Sequence, residues 1–192
     1  MSSYPFTSAL VTGASSGIGA GFAELLGAAG VPTVIVARRE DRLRELAERH
    51  PSLEVMTADL TTTDGLERVA ARAGQVDLVV NNAGFGSSGP FVSVDAERLA
   101  REIALNVAAV TRISHAALTA MVPNGRGYLL NVSSAASFQS APNLAVYAAT
   151  KAYVTSLGES LHEEVRGTGV HVTTLCPGLT PTEFQSVSSS AD

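Results

Sequence analysis

Val11-Thr12-Gly13-Ala14-Ser15-Ser16-Gly17-Ile18-Gly19 is the stretch that decides the fold. An apolar run, Thr7–Thr12, leads into it, and a helix-patterned segment from about Ile18 to Ala29 leaves it. Glycines at such a junction allow positive φ and a close approach to the backbone. The start of the helix offers N–H groups and the positive end of a dipole, which together suit a phosphate. The spacing is G-x-x-x-G-x-G, not G-x-G-x-x-G. Such glycines can also serve only to pack a strand on a helix. Their place, at the first strand–turn–helix of an alternating chain, favours the phosphate. Gly13, Ser15, Ser16, Gly17, Ile18 and Gly19 are therefore expected to line a dinucleotide site.

Outward from this turn the chain alternates between apolar β-type runs and helical patterns. Strands are expected at Thr7–Thr12, Thr33–Ala37, Leu53–Met56, Val76–Val80, Gly127–Val132 and Val170–Leu175. Helices are expected at Arg39–Arg49, with Leu43 and Leu46 inward, and at Asp64–Arg72. Two longer ones follow: Asp95–Leu118, with Leu99, Ile103, Val107 and Val110 at helical spacing, and Ala145–Val165. Nearly all-apolar strands are those covered on both faces. Strand–helix alternation then implies an α/β, Rossmann-like, doubly wound parallel sheet. Residues 1–185 are expected to form one dinucleotide-binding catalytic domain, and the serine-rich 186–192 a mobile tail.

The composition narrows the classes. The 192 residues are 45% apolar and 16% charged, with a net charge of −5. An acidic balance argues against nucleic acid as a partner. One cysteine, Cys176, excludes an internal disulfide, suits a reducing compartment and reads as a core thiol. No apolar run approaches a membrane span and no secretory signal is evident, so no membrane partner is expected and the cytoplasm is the default location. The four histidines are scattered, so no metal site is expected. No G-x-S-x-G elbow points to a serine hydrolase.

Several strand ends carry further candidates. The second strand ends in Arg38-Arg39, where an NAD site usually places an acid for the ribose hydroxyl. A guanidinium there grips a 2′-phosphate, so NADP(H) is preferred over NAD(H), with Arg38 the main grip and Arg39 a helper. Asp59, followed by Leu60, can accept a bond from the adenine amino group or cap the next helix, where Thr61 and Thr62 compete. Asn81-Asn82-Ala83-Gly84 closes the fourth strand; its asparagines can bond across strand ends, and Gly84 lets the chain pass close to a ligand. After the sixth strand come Pro177-Gly178 and then Thr180 and Thr182, which can bond the nicotinamide carboxamide or the pyrophosphate.

Tyr147 and Lys151 stand four apart on one helix, and Ser134 lies thirteen residues before the tyrosine. Positions i and i+4 share a face. An ammonium beside a phenol favours the phenolate and lowers its pKa from about 10. Such a phenol suits acid–base work near neutral pH. A serine hydroxyl beside it can hold a carbonyl or alcohol oxygen. Asn106 interrupts the apolar face of the long helix, where it can anchor water or bend the helix.

In this order the motifs resemble those of the short-chain dehydrogenase/reductase family, from about Thr7 to Thr182. Thr12–Gly19 is similar to its TGxxxGxG loop, Asn81–Gly84 to its NNAG, and Pro177-Gly178 with Thr182 to its PG-x-x-x-T element. Asn106, Ser134, Tyr147 and Lys151 match its catalytic tetrad. The resemblance implies a carbonyl/alcohol oxidoreductase with a small-molecule substrate and strand order 3-2-1-4-5-6. Tyr147 is implied as general acid or base, Ser134 as the holder of the substrate oxygen, Lys151 as the ribose ligand that lowers the phenol's pKa, and Asn106 as the keeper of a relay water. A dinucleotide-binding regulator without turnover, or an inactive truncated form, is the alternative. The family's chain usually continues further, so its seventh strand and substrate lid are expected to be absent from this chain. A homodimer through helices 95–118 and 145–165 is also implied.

Overall fold

A computed structural model describes residues 4–178 of the chain. Strands β1 (Ala9–Thr12), β2 (Thr33–Ala37), β3 (Leu53–Thr57), β4 (Leu78–Asn81), β5 (Gly127–Val132) and β6 (Val170–Leu175) form one sheet, ordered β3-β2-β1-β4-β5-β6. All five pairings are parallel. The pattern of alternating strands and helices implies such a doubly wound parallel sheet, and the order is the one that the family resemblance implies.

Alternate side chains of a strand leave opposite faces. Leu10, Val34 and Val36 therefore enter one core, and Ala9, Val11 and Ile35 the other. The first core is closed by α3 (Thr63–Ala73), α5 (Val110–Met121) and the C-terminal part of α6 (Ala145–Glu164). The second is closed by α1 (Gly17–Ala28) and α2 (Glu40–Arg49), whose Leu43 and Leu46 are buried as expected.

β1 starts two residues later than the apolar run suggests. The backbone N–H groups of Thr7 and Ser8 donate to the Asp77 carboxylate at 2.7–3.0 Å rather than joining the ladder. The same carboxylate, in an ion pair with Arg126 at 3.0 Å, moves the start of β4 to Leu78.

The long helix departs most from expectation. It runs from α4 (Ala96–Ile103) through a π-helical turn (Ala104–Ala109) into α5, ending at Met121 rather than Leu118. Asp95 caps it, accepting from the Arg98 N–H at 2.9 Å. Its inward residues are Glu102, Asn106, Ala109 and Val110, whereas Ile103 is about half exposed. Of the residues expected at helical spacing, Val110 is buried, Leu99 and Val107 are half-buried and Ile103 lies on the outer face. By length and composition alone this helix, Ala96–Met121, is apolar enough to cross a membrane, contrary to the sequence reading; one side of it packs on β4, β5 and α3.

Candidate active site

Parallel strands bring their C-terminal ends to one edge, where open α/β sheets bind ligands. Register places the turn after β1 beside the ends of β2 and β4, and the end of β4 beside that of β5. The segments singled out in the sequence thus share this edge, except that Thr180, Thr182 and 186–192 lie outside the described residues.

The glycine turn is held by close backbone contact. Gly13 and Gly17 adopt φ of 67° and 55°. A Cβ on Gly13 would meet the Ala83 Cα and the Asn82 amide nitrogen at 2.8 Å, and one on Gly19 would strike Asn82 and the Gly13 carbonyl. The Asn82 side chain donates to the carbonyls of Thr12 (2.9 Å) and Gly13 (3.3 Å). Thr12 Oγ1 accepts from the N–H groups of Asn82 and Ala83, both at 3.0 Å. Asn82 and Ala83 thus clamp the turn. Ser16 begins α1 without a side-chain cap, so its hydroxyl does not satisfy the N–H groups of the first turn. A side-chain-free cradle at an uncapped helix start fits the pyrophosphate of a dinucleotide.

Arg38 and Arg39 are both exposed at the end of β2. Arg39 reaches back to the turn, donating to Ser15 Oγ at 3.2–3.3 Å and to the Ser15 carbonyl at 3.4 Å. Asp59 does not cap α3. Thr62 does, accepting from the Gly65 N–H at 3.2 Å. Asp59 accepts from Thr61 N (2.9 Å) and Oγ1 (2.7 Å). Burial works to raise its pKa, but these bonds and the Arg38 charge outweigh it and hold the carboxyl below its ordinary value. Leu60 behind it is buried.

Ser134, Tyr147 and Lys151 meet at the end of β5. Ser134 Oγ accepts from the Ala136 N–H at 3.1 Å and bonds the Tyr147 phenol, which pulls the phenol's pKa down. Burial, the largest influence, pushes it up, the Glu102 charge adds a smaller push, and the net position is above the ordinary value. This corrects the expectation of a phenol lowered by its lysine. The Lys151 ammonium sits 5.8 Å from the centre of the tyrosine ring and donates to the Val132 carbonyl at 2.8 Å. At that distance, with both groups desolvated, removal from water outweighs attraction. Burial likewise brings Lys151 down to about 8, against the raising effect of Cys176 and Glu102. Cys176 is half-buried rather than a core thiol, with its Sγ 3.8 Å from Thr155 Oγ1.

Asn106 is fully buried in the π turn. Its amide clasps the loop after β4, accepting from Phe85 N at 3.2 Å and donating to Phe85 O at 2.8 Å. Its Nδ2 also donates to Thr150 Oγ1 at 3.0 Å. Gly84 is pressed between Asn106 and Lys151: a Cβ there would lie 3.0 Å from Asn106 Oδ1 and 3.4 Å from Lys151 Nζ. Pro177 ties β6 to the site, its carbonyl accepting from Ala135 N at 2.9 Å; Gly178 beside it is exposed.

Four polar residues here escaped the sequence reading. Thr150 Oγ1 donates to the Tyr147 carbonyl at 2.8 Å and so joins Asn106 to the helix bearing the phenol. Ser133 Oγ donates to the Lys151 carbonyl at 2.8 Å and shares a 2.7 Å bond with Thr155. Glu102 is fully buried one turn before Asn106. Its place at i−4 from a buried asparagine was the available signal.

Residues 7–192 match the family model described as short chain dehydrogenase. An uncharacterized oxidoreductase of Myxococcus xanthus is 37% identical over 98% of this chain and 78% of its own length. A solved short-chain dehydrogenase from Sphingobium yanoikuyae, in complex with NADPH, superposes with a TM-score of 0.91 at 36% identity, over 94% of this chain and 74% of that one. A bulky-bulky ketone specific alcohol dehydrogenase from Comamonas testosteroni gives 0.87 at 36% identity, over 91% and 72%.

Proposed function

The chain belongs to the short-chain dehydrogenase family, and we propose that it is an NADP(H)-dependent oxidoreductase interconverting a carbonyl and a secondary alcohol on a small, largely apolar substrate. The observation that carries this is the meeting of Ser134, Tyr147 and Lys151 on the sheet edge that also bears the glycine cradle. The cofactor, when bound, supplies hydride exchange with the substrate carbon.

The chain's own residues supply the rest. Tyr147 gives its phenol proton to the carbonyl oxygen during reduction and recovers it during alcohol oxidation. Ser134, already bonded to the phenol, holds that oxygen in reach. Lys151, brought by burial well below its ordinary value to about 8, takes the ribose hydroxyls and passes protons to the phenol. Asn106 fixes the loop floor beside Lys151. Arg38 binds the 2′-phosphate, while Arg39 braces the turn through Ser15. The Sphingobium neighbour's NADPH supports this cofactor. Exposed Phe91 and Val92, in the segment after β4, and Phe138, in the turn after Ser134, favour an apolar substrate, in keeping with the ketone-specific neighbour. Following NADPH oxidation with a panel of ketones and aldehydes tests the reading. Consumption matched by alcohol formation is expected; binding of NADPH without turnover of any carbonyl would favour a regulator instead.

The outer face of α4 and α6 supports a homodimer. An apolar groove of about 340 Å³ lies between Ile103, Val107, Ala145, Val146, Ala149 and Thr150. A second copy covers it, and Ile103→Glu shifts the light-scattering mass from dimer to monomer.

A further inference from the structure

Glu102 has no role in the reaction as set out above, yet it is fully buried and neither carboxylate oxygen has a partner at hydrogen-bond geometry. Ser87 beside it and the Arg98 and Lys151 charges offset the cost of burying that carboxylate only in part, since burial still raises its pKa, and so its place calls for a reason. It projects from α4 one turn before Asn106, and α4 packs on α6. The charged and titratable groups around it are Arg98 on its own helix and Lys151 and Tyr147 on α6, with Ser87 a donor from the β4 loop. Arg98 is engaged elsewhere: it donates to Ser87 Oγ at 3.2 Å and to the Gly86 carbonyl at 3.5 Å, and stacks 5.2 Å from the Phe85 ring centre.

We propose that Glu102 is a positioning residue of this site, whose buried charge holds the protons on Tyr147 and Lys151 and so biases the site toward carbonyl reduction. The inference rests on the oxidoreductase reading for its meaning but not for its test. Reduction needs a protonated phenol and oxidation an ionised one. An anion in the same desolvated space opposes loss of a proton from either neighbour, adding to burial at Tyr147 and partly opposing it at Lys151. Burial raises the carboxyl's own pKa, so this hold strengthens as pH climbs and Glu102 ionises.

The test is a phenolate absorbance titration of the cofactor-free chain. Subtracting Tyr147→Phe from wild type isolates Tyr147 from Tyr4, Tyr128 and Tyr153; the same subtraction is made in a Glu102→Gln background. The Tyr147 midpoint is expected to fall by about 1 pH unit without the charge, and the pH profile of NADP⁺-dependent alcohol oxidation to move down with it. Glu102→Met, uncharged and apolar, replaces the glutamine variant should that not fold. An unchanged midpoint in a folded variant overturns the proposal, because a merely structural Glu102 would leave it there. A shifted midpoint in a protein that reduces no carbonyl sustains Glu102's hold on the phenol and overturns the oxidoreductase reading instead.

Discussion

The two halves of the binding edge are built by opposite means. At the β1–β2 end the site is made of backbone. Gly13, Gly17 and Gly19 leave room, and Thr12 with Asn82 locks their shape through bonds that carry no net charge. At the β5–α6 end the site is made of buried side chains whose charges are in tension. Tyr147 lies above its ordinary pKa, Lys151 well below its own, and Glu102 above its own. Shape is thus fixed by sterics at one end. At the other, the proposed function depends on which proton is held, a balance of a few kcal/mol between desolvation and neighbours.

This contrast can be broken most sharply at Tyr147. Tyr147→Phe is expected to lower kcat about 10²–10⁴-fold with NADPH affinity intact by fluorescence titration. A parallel loss of affinity would mean that the two ends are not separable. The next largest effect is pH-dependent stability. Lys151 falls from 10.5 unfolded to about 8 folded, so the fold disfavours its protonated form. Stability from this residue is therefore gained as pH rises from about 8 to 10.5, by an amount on the order of 3 kcal/mol. Urea unfolding of wild type against Lys151→Met should show the difference growing in that window; a flat difference would remove Lys151 from the strained end.

Smaller effects are expected at the backbone end and at Asn106 beside Lys151. Gly13→Val places a Cβ against Ala83 and Asn82 at positive φ, and should lower stability by about 1–3 kcal/mol and abolish dinucleotide binding. Asn106→Ala strips Phe85 of two bonds; about 1–3 kcal/mol is expected, with KM rising more than kcat falls as the Phe85 loop loosens. Smallest, Arg38→Asp should weaken NADPH binding about 10-fold relative to NADH, as loss of one charge-assisted contact does. Equal loss for both cofactors would move the 2′-phosphate away from Arg38.

Legibility in the sequence follows the same division. β2, β5 and β6 lie where their runs place them, β-branched in β2 and β6 and carried by Tyr128, Leu129 and Leu130 in β5. The turn after β1 was readable from its glycines between strand and helix, and the pairing of Tyr147 with Lys151 from four residues along one helix; the place of Ser134 beside them followed only from the family resemblance. What was not readable depends on partners distant in the chain. The π turn at Ala104–Ala109 exists around an amide whose ligands are Phe85 and Thr150. Glu102, four residues before Asn106, faces inward with it, while Ile103 faces outward. The sign of the Tyr147 shift depends on burial, which an i, i+4 pattern cannot supply.

The central claim is that Tyr147 gives the proton while carbon receives hydride from the bound cofactor. It is tested most directly by reducing a ketone with NADPH deuterated on the transferring carbon and following the product by mass spectrometry. Wild type should yield alcohol carrying one deuterium at the carbinol carbon, and Tyr147→Phe, saturated with the same cofactor, should yield almost none in the same time. Equal labelled product from both proteins would contradict the account.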